Sequence, residues 1–303
     1  MKELRYVERS TGEELVEKVY GAKALELIYG EGLAPRFFAK TLLPCIARLP
    51  FASQIYGYFQ KISRSRAKIR PFIEKYKINE QEFADPVHSF FSFNDFFIRK
   101  LKSSCRPIDP DPKQAVFPAD GRYLVYPDLR HVEGFFVKGQ QFSLADFLRD
   151  PILTRRFCDG AMVIARLCPT DYHRFHFPCD GNVLSTKRIN GPLFSVNPIA
   201  LRKNLSILWE NKRFITEMES DVFGSLLFIE IGATAVGSVR QTFSSDTPVR
   251  KGDEKGYFEF GGSCVILLFE KNRIQFDGDL IRNSHRLIET RANFGQSLGR
   301  AIS

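Results

Sequence analysis

The 303-residue sequence has no CxxC pair among its six cysteines, no internal repeat and no low-complexity tract. Cys45, Cys105, Cys158, Cys168, Cys179 and Cys264 are scattered, which fits reduced thiols in a cytoplasmic protein and argues against a disulfide framework or a zinc knuckle. No apolar run reaches the ~20 residues needed to cross a bilayer. The longest candidate, 224–239, is broken by Glu230 and by glycines and reads as two strands. The N-terminal MKELRYVERS has no apolar stretch, so no signal peptide is expected there. A 44% hydrophobic and 26% charged composition excludes a disordered chain. The 44 Lys and Arg outnumber the 35 Asp and Glu, giving +9 and pointing to an anionic partner, either a membrane surface or a nucleic acid.

Acidic residues are missing altogether from Arg36 to Ile73. That stretch carries Arg36, Lys40, Arg48, Lys61, Arg64, Arg66, Lys68 and Arg70, interleaved with aromatic and aliphatic residues such as Phe37, Phe38, Ile55, Tyr58 and Phe59. On a helix Lys61, Arg64 and Lys68 share one face. A basic helix with an apolar face suits a membrane interface, and equally suits a solvated face packed on a core. No zinc-finger, RRM-like or helix-turn-helix pattern accompanies it, so no nucleic-acid partner is expected.

The chain changes character near residue 110. Before it the patterns are helical. Ser10 and Thr11 stand three residues before Glu13 and Glu14, a doubled capping-box pattern, and Leu15, Val19, Ala22 and Ile28 follow at helical spacing up to Gly30. Pro35 and Pro50 bracket a second helix, and Phe51 to Arg70 form a third that Pro71 closes. A short fourth helix starts after Ser92 or Asn94 and covers FFIRKLK. Beyond 110 come strand-like runs separated by turn residues: AVFPADGRYLVY, GAMVIARL, GSLLFIEIG, TAVGSVRQTF, GYFEFGG and CVILLFEK. SLADFLRD interrupts them as a helix with Ser143 as its cap. The expected fold is α+β: an N-terminal helical region (1–105) packed on an antiparallel β-rich, sandwich- or barrel-like domain (106–303).

Chemistry is expected where polar residues interrupt strands. Two of the five histidines, His173 and His176, fall in CPTDYHRFHFPCDG. On a strand they face opposite sides, whereas on an irregular turn both reach one site. HxxH with Cys168 or Cys179 is not a zinc spacing, so no metal is expected. In FGGSCVILLFE, Gly261 and Gly262 precede Ser263 at the mouth of an apolar strand. They make a bulge, or they expose the Gly262 carbonyl to the Ser263 hydroxyl. Asp120-Gly121 is a turn signal. Asp, His and Ser together also supply a nucleophile, its base and an orienting carboxylate.

RKLKxxxRPID (Arg99 to Asp109), FPADG, PTDYHRFHFP, GPLFSVNP, ENKR, GATAVGS and KGDEKGYFEFGGS follow in one order. From about Ser92 to Lys271 the chain thereby resembles the phosphatidylserine decarboxylases, pyruvoyl enzymes made as proenzymes. The resemblance implies a self-cleavage triad of Asp120, His176 and Ser263, and a decarboxylation role for His173. His176, oriented by Asp120, takes the proton of Ser263, whose oxygen attacks the Gly262 carbonyl. The resulting ester is lost by β-elimination, and the dehydroalanine hydrolyses to ammonia and a pyruvoyl group. Residues 1–262 and 263–303 then form a heterodimer. The pyruvoyl ketone, as an imine with the lipid amine, accepts the electron pair left by carbon dioxide, and His173 protonates the carbanion. The implied partners are phosphatidylserine and an anionic membrane surface, and the implied location is the cytoplasmic side of the cell membrane, as a peripheral protein. The sequence departs from the family at Cys264, where Thr commonly follows the modified serine; a thiol is the weaker donor. A serine hydrolase or a non-catalytic binding protein would stay one chain. A pyruvoyl enzyme for a soluble amino acid would cleave itself yet need no basic helices.

Overall fold

A computed structural model describes residues 4–17, 57–131, 142–196, 198–201, 204–232, 239–244, 247–261 and 263–302. Most of the first three expected helices, and Gly262, lie outside those residues.

The first strands are β1 (Arg5–Glu8), β2 (Glu14–Val16), β3 (Gln114–Val116), β4 (Gly121–Tyr126) and β5 (Ala161–Leu167). There follow β6 (Arg174–His176), β7 (Asn182–Ile189), β8 (Arg213–Ser220), β9 (Gly224–Gly232) and β10 (Val239–Gln241). The last are β11 (Glu254–Phe258), β12 (Ser263–Phe269), β13 (Ile274–Phe276), β14 (Glu289–Ala292) and β15 (Ser297–Ala301). Among the described residues they build a nine-stranded sheet, ordered β2-β1-β14-β4-β5-β12-β9-β8-β7, and two three-stranded sheets, β10-β11-β6 and β13-β15-β3. Every pairing is antiparallel except β1 with β14. The large sheet ends at β2 and β7, so the α+β expectation holds while its barrel alternative does not: the sheet is open.

Strand alternation divides the apolar side chains between two layers. Val265, Leu267 and Phe269 of β12 face the small sheets, packing with Phe175, Phe228 and Phe258. Cys264, Ile266 and Leu268 face the opposite side, which the helices Leu144–Leu148, Pro151–Phe157 and Ile207–Glu210 cover. β12 lies between β5 and β9, with seven residue pairs to each neighbour. A third cluster, of Ile69, Phe72, Phe83, Phe90, Phe93, Phe96 and Phe97, fastens the helical region to Phe260.

The doubled capping box does not start a helix. Residues 5–16 form a hairpin, turning at Gly12 (φ +74°) and pairing with β14 over Tyr6↔Glu289 to Glu8↔Arg291. Sheet pairing outweighs the local capping pattern, and the Thr11 hydroxyl instead accepts the Glu13 N–H across the turn. The third expected helix is also broken. Residues 57–61 are helical, Ser63–Lys68 is a 3-10 turn, and an α-helix runs Ile69–Tyr76. Pro71 therefore lies in a first helical turn, where its missing N–H leaves no bond unmade, and does not close a helix. The fourth helix starts after Ser92, which accepts the Asp95 N–H, but runs only Phe93–Phe97: it stops short of most of FFIRKLK because Lys100 and Lys102 bond to the backbone of Ala84 and Glu82 instead. Ser143 caps Leu144–Leu148 as expected.

Glu17, just beyond β2, ties this hairpin to the large sheet. Its carboxylate meets Arg166 at 2.6 Å and Arg122 at 2.9 Å with all three side chains buried. Burial alone would raise its pKa, but the charge and hydrogen bond of Arg166, helped by Arg122, hold it down at about 2. A carboxyl held below its unfolded value stabilises the fold fully above that value, near 4.5, and loses the contribution as pH falls toward 2. About 3 kcal/mol is expected to disappear across that interval. Denaturant melts of Glu17→Gln against the parent should show a smaller difference at pH 3 than at pH 7; an equal difference would exclude the linkage.

Candidate active site

Ser263 is the first residue of β12, paired with Leu167 of β5 and Gly232 of β9. It has the parity of Val265, so its side chain enters the layer between the large sheet and the β10-β11-β6 sheet. The residue is fully buried, and its Oγ has no hydrogen-bond partner. Gly261, two residues earlier, adopts φ +146°, a conformation that L side chains rarely take. Gly261 thus answers a backbone requirement.

The two histidines lie on opposite sides of β6. Phe175 points toward β9, its ring 5.8 Å from Phe228. His173, two residues earlier, is completely buried and stacks 3.8 Å from Phe97, which packs on Phe260 three residues short of Ser263. The His173 backbone also accepts the Phe258 N–H of β11. Its Nδ1 lies 2.9 Å from the Asp171 carbonyl, an acceptor, so Nδ1 carries the proton and Nε2 presents a lone pair. That Nε2 is buried without a partner. Burial, then the nearby Arg99 charge, lower the pKa of His173 to about 3 against the Asp171 hydrogen bond, which keeps the ring neutral. Two buried atoms without partners among the described residues, a lone pair on His173 and the Ser263 hydroxyl, are therefore available, and they are chemically complementary.

His176 turns the other way, into a cavity of about 360 Å³ whose walls include Arg106, Tyr172, Gly252 and Phe294. Its ring lies 3.7 Å from the Phe294 ring and nearly parallel to it. Nδ1 donates to the Gly252 carbonyl at 2.9 Å, and Nε2 faces the Tyr172 hydroxyl at 3.3 Å. Burial lowers its pKa to about 4 despite the Gly252 bond. Asp120 is engaged elsewhere: Arg106 Nη2 at 2.6 Å, Arg106 Nε at 3.0 Å and the Phe294 N–H at 2.9 Å. No hydrogen bond joins Asp120, His176 and Ser263 to one another among the described residues. Asp120 precedes β4, which β5 separates from β12, so two strand spacings, about 10 Å, lie between its backbone and that of Ser263.

Sequence reasoning did not single out Arg106, Tyr172 or Gly252, although RPID, DYH and KGD carry them. It also missed Lys255. A bulge in β11, where Glu254 pairs with His176 and Gly256 with Phe175, turns Lys255 inward. Its ammonium, fully buried, meets Glu230 at 2.5 Å and Gln241 at 2.9 Å under the rings of Phe175, Phe228 and Phe243. Burial drives the Glu230 pKa up and the Lys255 pKa down, and their mutual attraction opposes both. Glu230 pairs with Val265 and so shares the face of Ser263, one diagonal step away. Among the described residues no cluster of His, Cys, Asp and Glu is arranged to hold a metal ion.

The family profile for phosphatidylserine decarboxylase matches residues 93–300. The phosphatidylserine decarboxylase proenzyme of Chlamydia pneumoniae is 46% identical over 301 residues, covering 99% of this chain and 98% of its own length. The same-named proteins of Chlamydia caviae and Chlamydia muridarum are 45% and 47% identical, each over all of this chain and 99% of the relative. With a match of this extent lying over His173, His176 and the buried Ser263, the chain belongs to the phosphatidylserine decarboxylase family of carboxy-lyases.

Proposed function

We infer that the protein decarboxylates phosphatidylserine to phosphatidylethanolamine after cutting itself between Gly262 and Ser263. The observation that carries this is the buried Ser263 hydroxyl, without a partner among the described residues, at the head of a central strand. Such a position suits a pyruvoyl group made from Ser263, since water is excluded, and the equally buried Nε2 of His173 is a basic nitrogen left unused by the protein. When present, that group supplies a carbonyl that takes up the electron pair released with carbon dioxide.

The chain's own residues do the remaining work. Asp171 fixes the His173 tautomer through its carbonyl, so Nε2 is the atom that exchanges a proton with substrate. Phe97 and Phe260 hold the ring and keep it dry. His176 and Asp120 are assigned to the cleavage with Ser263 on their matching motifs. Arg106 holds Asp120, while Gly252 and Tyr172 hold His176. The His173 role rests on geometry as well as motif, and the His176 role on motif.

Residues 1–105 supply membrane association and 106–303 catalysis, with the β1–β2 hairpin crossing over to complete the catalytic sheet. No helix among the described residues is long and apolar enough to cross a membrane. Tyr58, Phe59 and Phe91 are exposed on the helical side, as is Arg64, which suits a peripheral protein on an anionic surface. Lys61 and Arg66, by contrast, are engaged with Glu259 and the His88 carbonyl. The purified protein is expected to release carbon dioxide from phosphatidylserine vesicles and none from free serine. Cleaved protein that releases none from vesicles would overturn the assignment.

A further inference from the structure

A second cavity, of about 530 Å³, opens beside the segment that carries His173; Arg99, Arg106, Asp120, Arg122, Asp171 and Tyr172 are among its walls. Its arginines are not equivalent. Arg106 is answered by Asp120 and Glu82, and Arg122 by Asp171 and Glu17. Among the described residues Arg99 has no carboxylate partner. It is 4% exposed, and its hydrogen bonds are long ones to backbone carbonyls: 3.3 Å to Thr170, and 3.5 Å to Asp171 and to Phe96. Its Nε has no partner, and its guanidinium lies over the Phe83 and Phe96 rings at 5.1 and 4.8 Å. Burial lowers its pKa to about 10 in spite of Asp120, Asp171 and Glu82 nearby, all three of which are committed to other arginines. A buried guanidinium without a counter-charge is expensive to fold around. It is also pre-set to take up an anion, since its planar fork matches two oxygens at once.

We propose that Arg99 is the counter-ion for the phosphodiester of the lipid headgroup, bound in this cavity. The inference rests on the decarboxylase reading above and adds the group that holds the substrate. Arg99 and His173 share one anchor, because the Asp171 carbonyl accepts from both side chains. A headgroup held at Arg99 is therefore held against the carbonyl that orients the His173 ring. The phosphodiester, and not the carboxylate, is the fitting partner on energetic grounds. A cation paired with the carboxylate would stabilise charge that must leave as carbon dioxide, binding the ground state more tightly than the transition state. The phosphodiester keeps its charge throughout, so pairing with it positions the lipid at no cost to the chemical step. Lys75 and Lys77 also line this cavity and are exposed, which favours entry of an anion. Leu15 and Val16, apolar and exposed on its wall, meet the carbon side of the lipid.

The test is steady-state kinetics on phosphatidylserine in mixed micelles, with soluble glycerophosphoserine and inorganic phosphate as competitors. Arg99→Met is expected to raise KM about 10- to 100-fold, the worth of a charge-assisted hydrogen bond, with kcat nearly unchanged and self-cleavage intact. Glycerophosphoserine should inhibit the wild type and lose its effect on Arg99→Met. If that variant does not fold, Arg99→Lys keeps the charge without the fork and should still raise KM. A fall in kcat at constant KM in either variant would place the charge in the chemical step and overturn the proposal. Inorganic phosphate competing as well as glycerophosphoserine would make this a site for free phosphate and overturn the headgroup assignment. A wild type that turns over no phosphatidylserine would instead defeat the decarboxylase reading itself.

Discussion

Ser263→Ala is expected to remain a single chain of 34.8 kDa with no decarboxylase activity. The substitution removes one oxygen from a buried site where no protein group accepts its hydrogen bond. The fold should therefore suffer little, since no hydrogen bond is broken and no new donor or acceptor is left orphaned. Loss of both cleavage and turnover without loss of stability would mark the oxygen as chemical and not structural. Intact mass gives the first readout and a thermal melt the second. Two fragments from this variant, with activity retained, would remove Ser263 from the mechanism. A serine hydrolase built on the same residue would lose activity too, but its wild type would never yield fragments.

The second large effect divides the two histidines. His173→Ala is expected to cleave itself and then turn over ~10²–10⁴-fold more slowly, the usual contribution of a placed acid or base. His176→Ala is expected to accumulate the uncut chain, as is Asp120→Asn. Because the His176 ring lies in its cavity against Phe294 while the His173 ring packs on Phe97, collapse of one need not disturb the other. A gel beside a carbon dioxide assay reads both functions. If His173→Ala also fails to cleave while His176→Ala cuts normally, His173 serves both steps, and the motif-based assignment of His176 falls. The geometry makes this alternative sharp, since both ring nitrogens of His176 are engaged away from Ser263.

Legibility in the sequence followed the environment of each strand. β5, β9 and β12 are buried along their whole length and appear as unbroken apolar runs. β7, with only its second and last residues buried, and β8, where apolar and polar residues mix, gave no such signal and went unread. β1 and β2 were mistaken for a helix start because β14, the strand on which β1 docks, is nearly the whole chain away. The helix Pro151–Phe157 was missed although Asp150-Pro151 is a good opening, with the Asp150 carboxylate accepting from two N–H groups. At the site, motifs supplied Asp120, His173, His176 and Ser263. What they could not supply was partnership. That Arg106 takes Asp120, that Arg99 takes no carboxylate, and that a one-residue bulge buries Lys255 against Glu230 are facts of three-dimensional neighbourhood, with no signature in local spacing.

The position of β12 has a consequence for the life of the molecule. It is gripped on both sides by strands from before residue 262. β14 is likewise flanked by β1 and β4, and β15 pairs with β3 as well as with β13. A cut at 262–263 would leave all of this pairing in place, so the pieces would stay together. It would nevertheless change the way back. The uncut chain finds its centre by a unimolecular search, whereas the processed protein, once denatured and diluted, must recruit its innermost strand from a separate polypeptide at a rate set by concentration. Maturation on this plan is a one-way passage: the protein folds once as a single chain and afterwards persists by the height of its unfolding barrier.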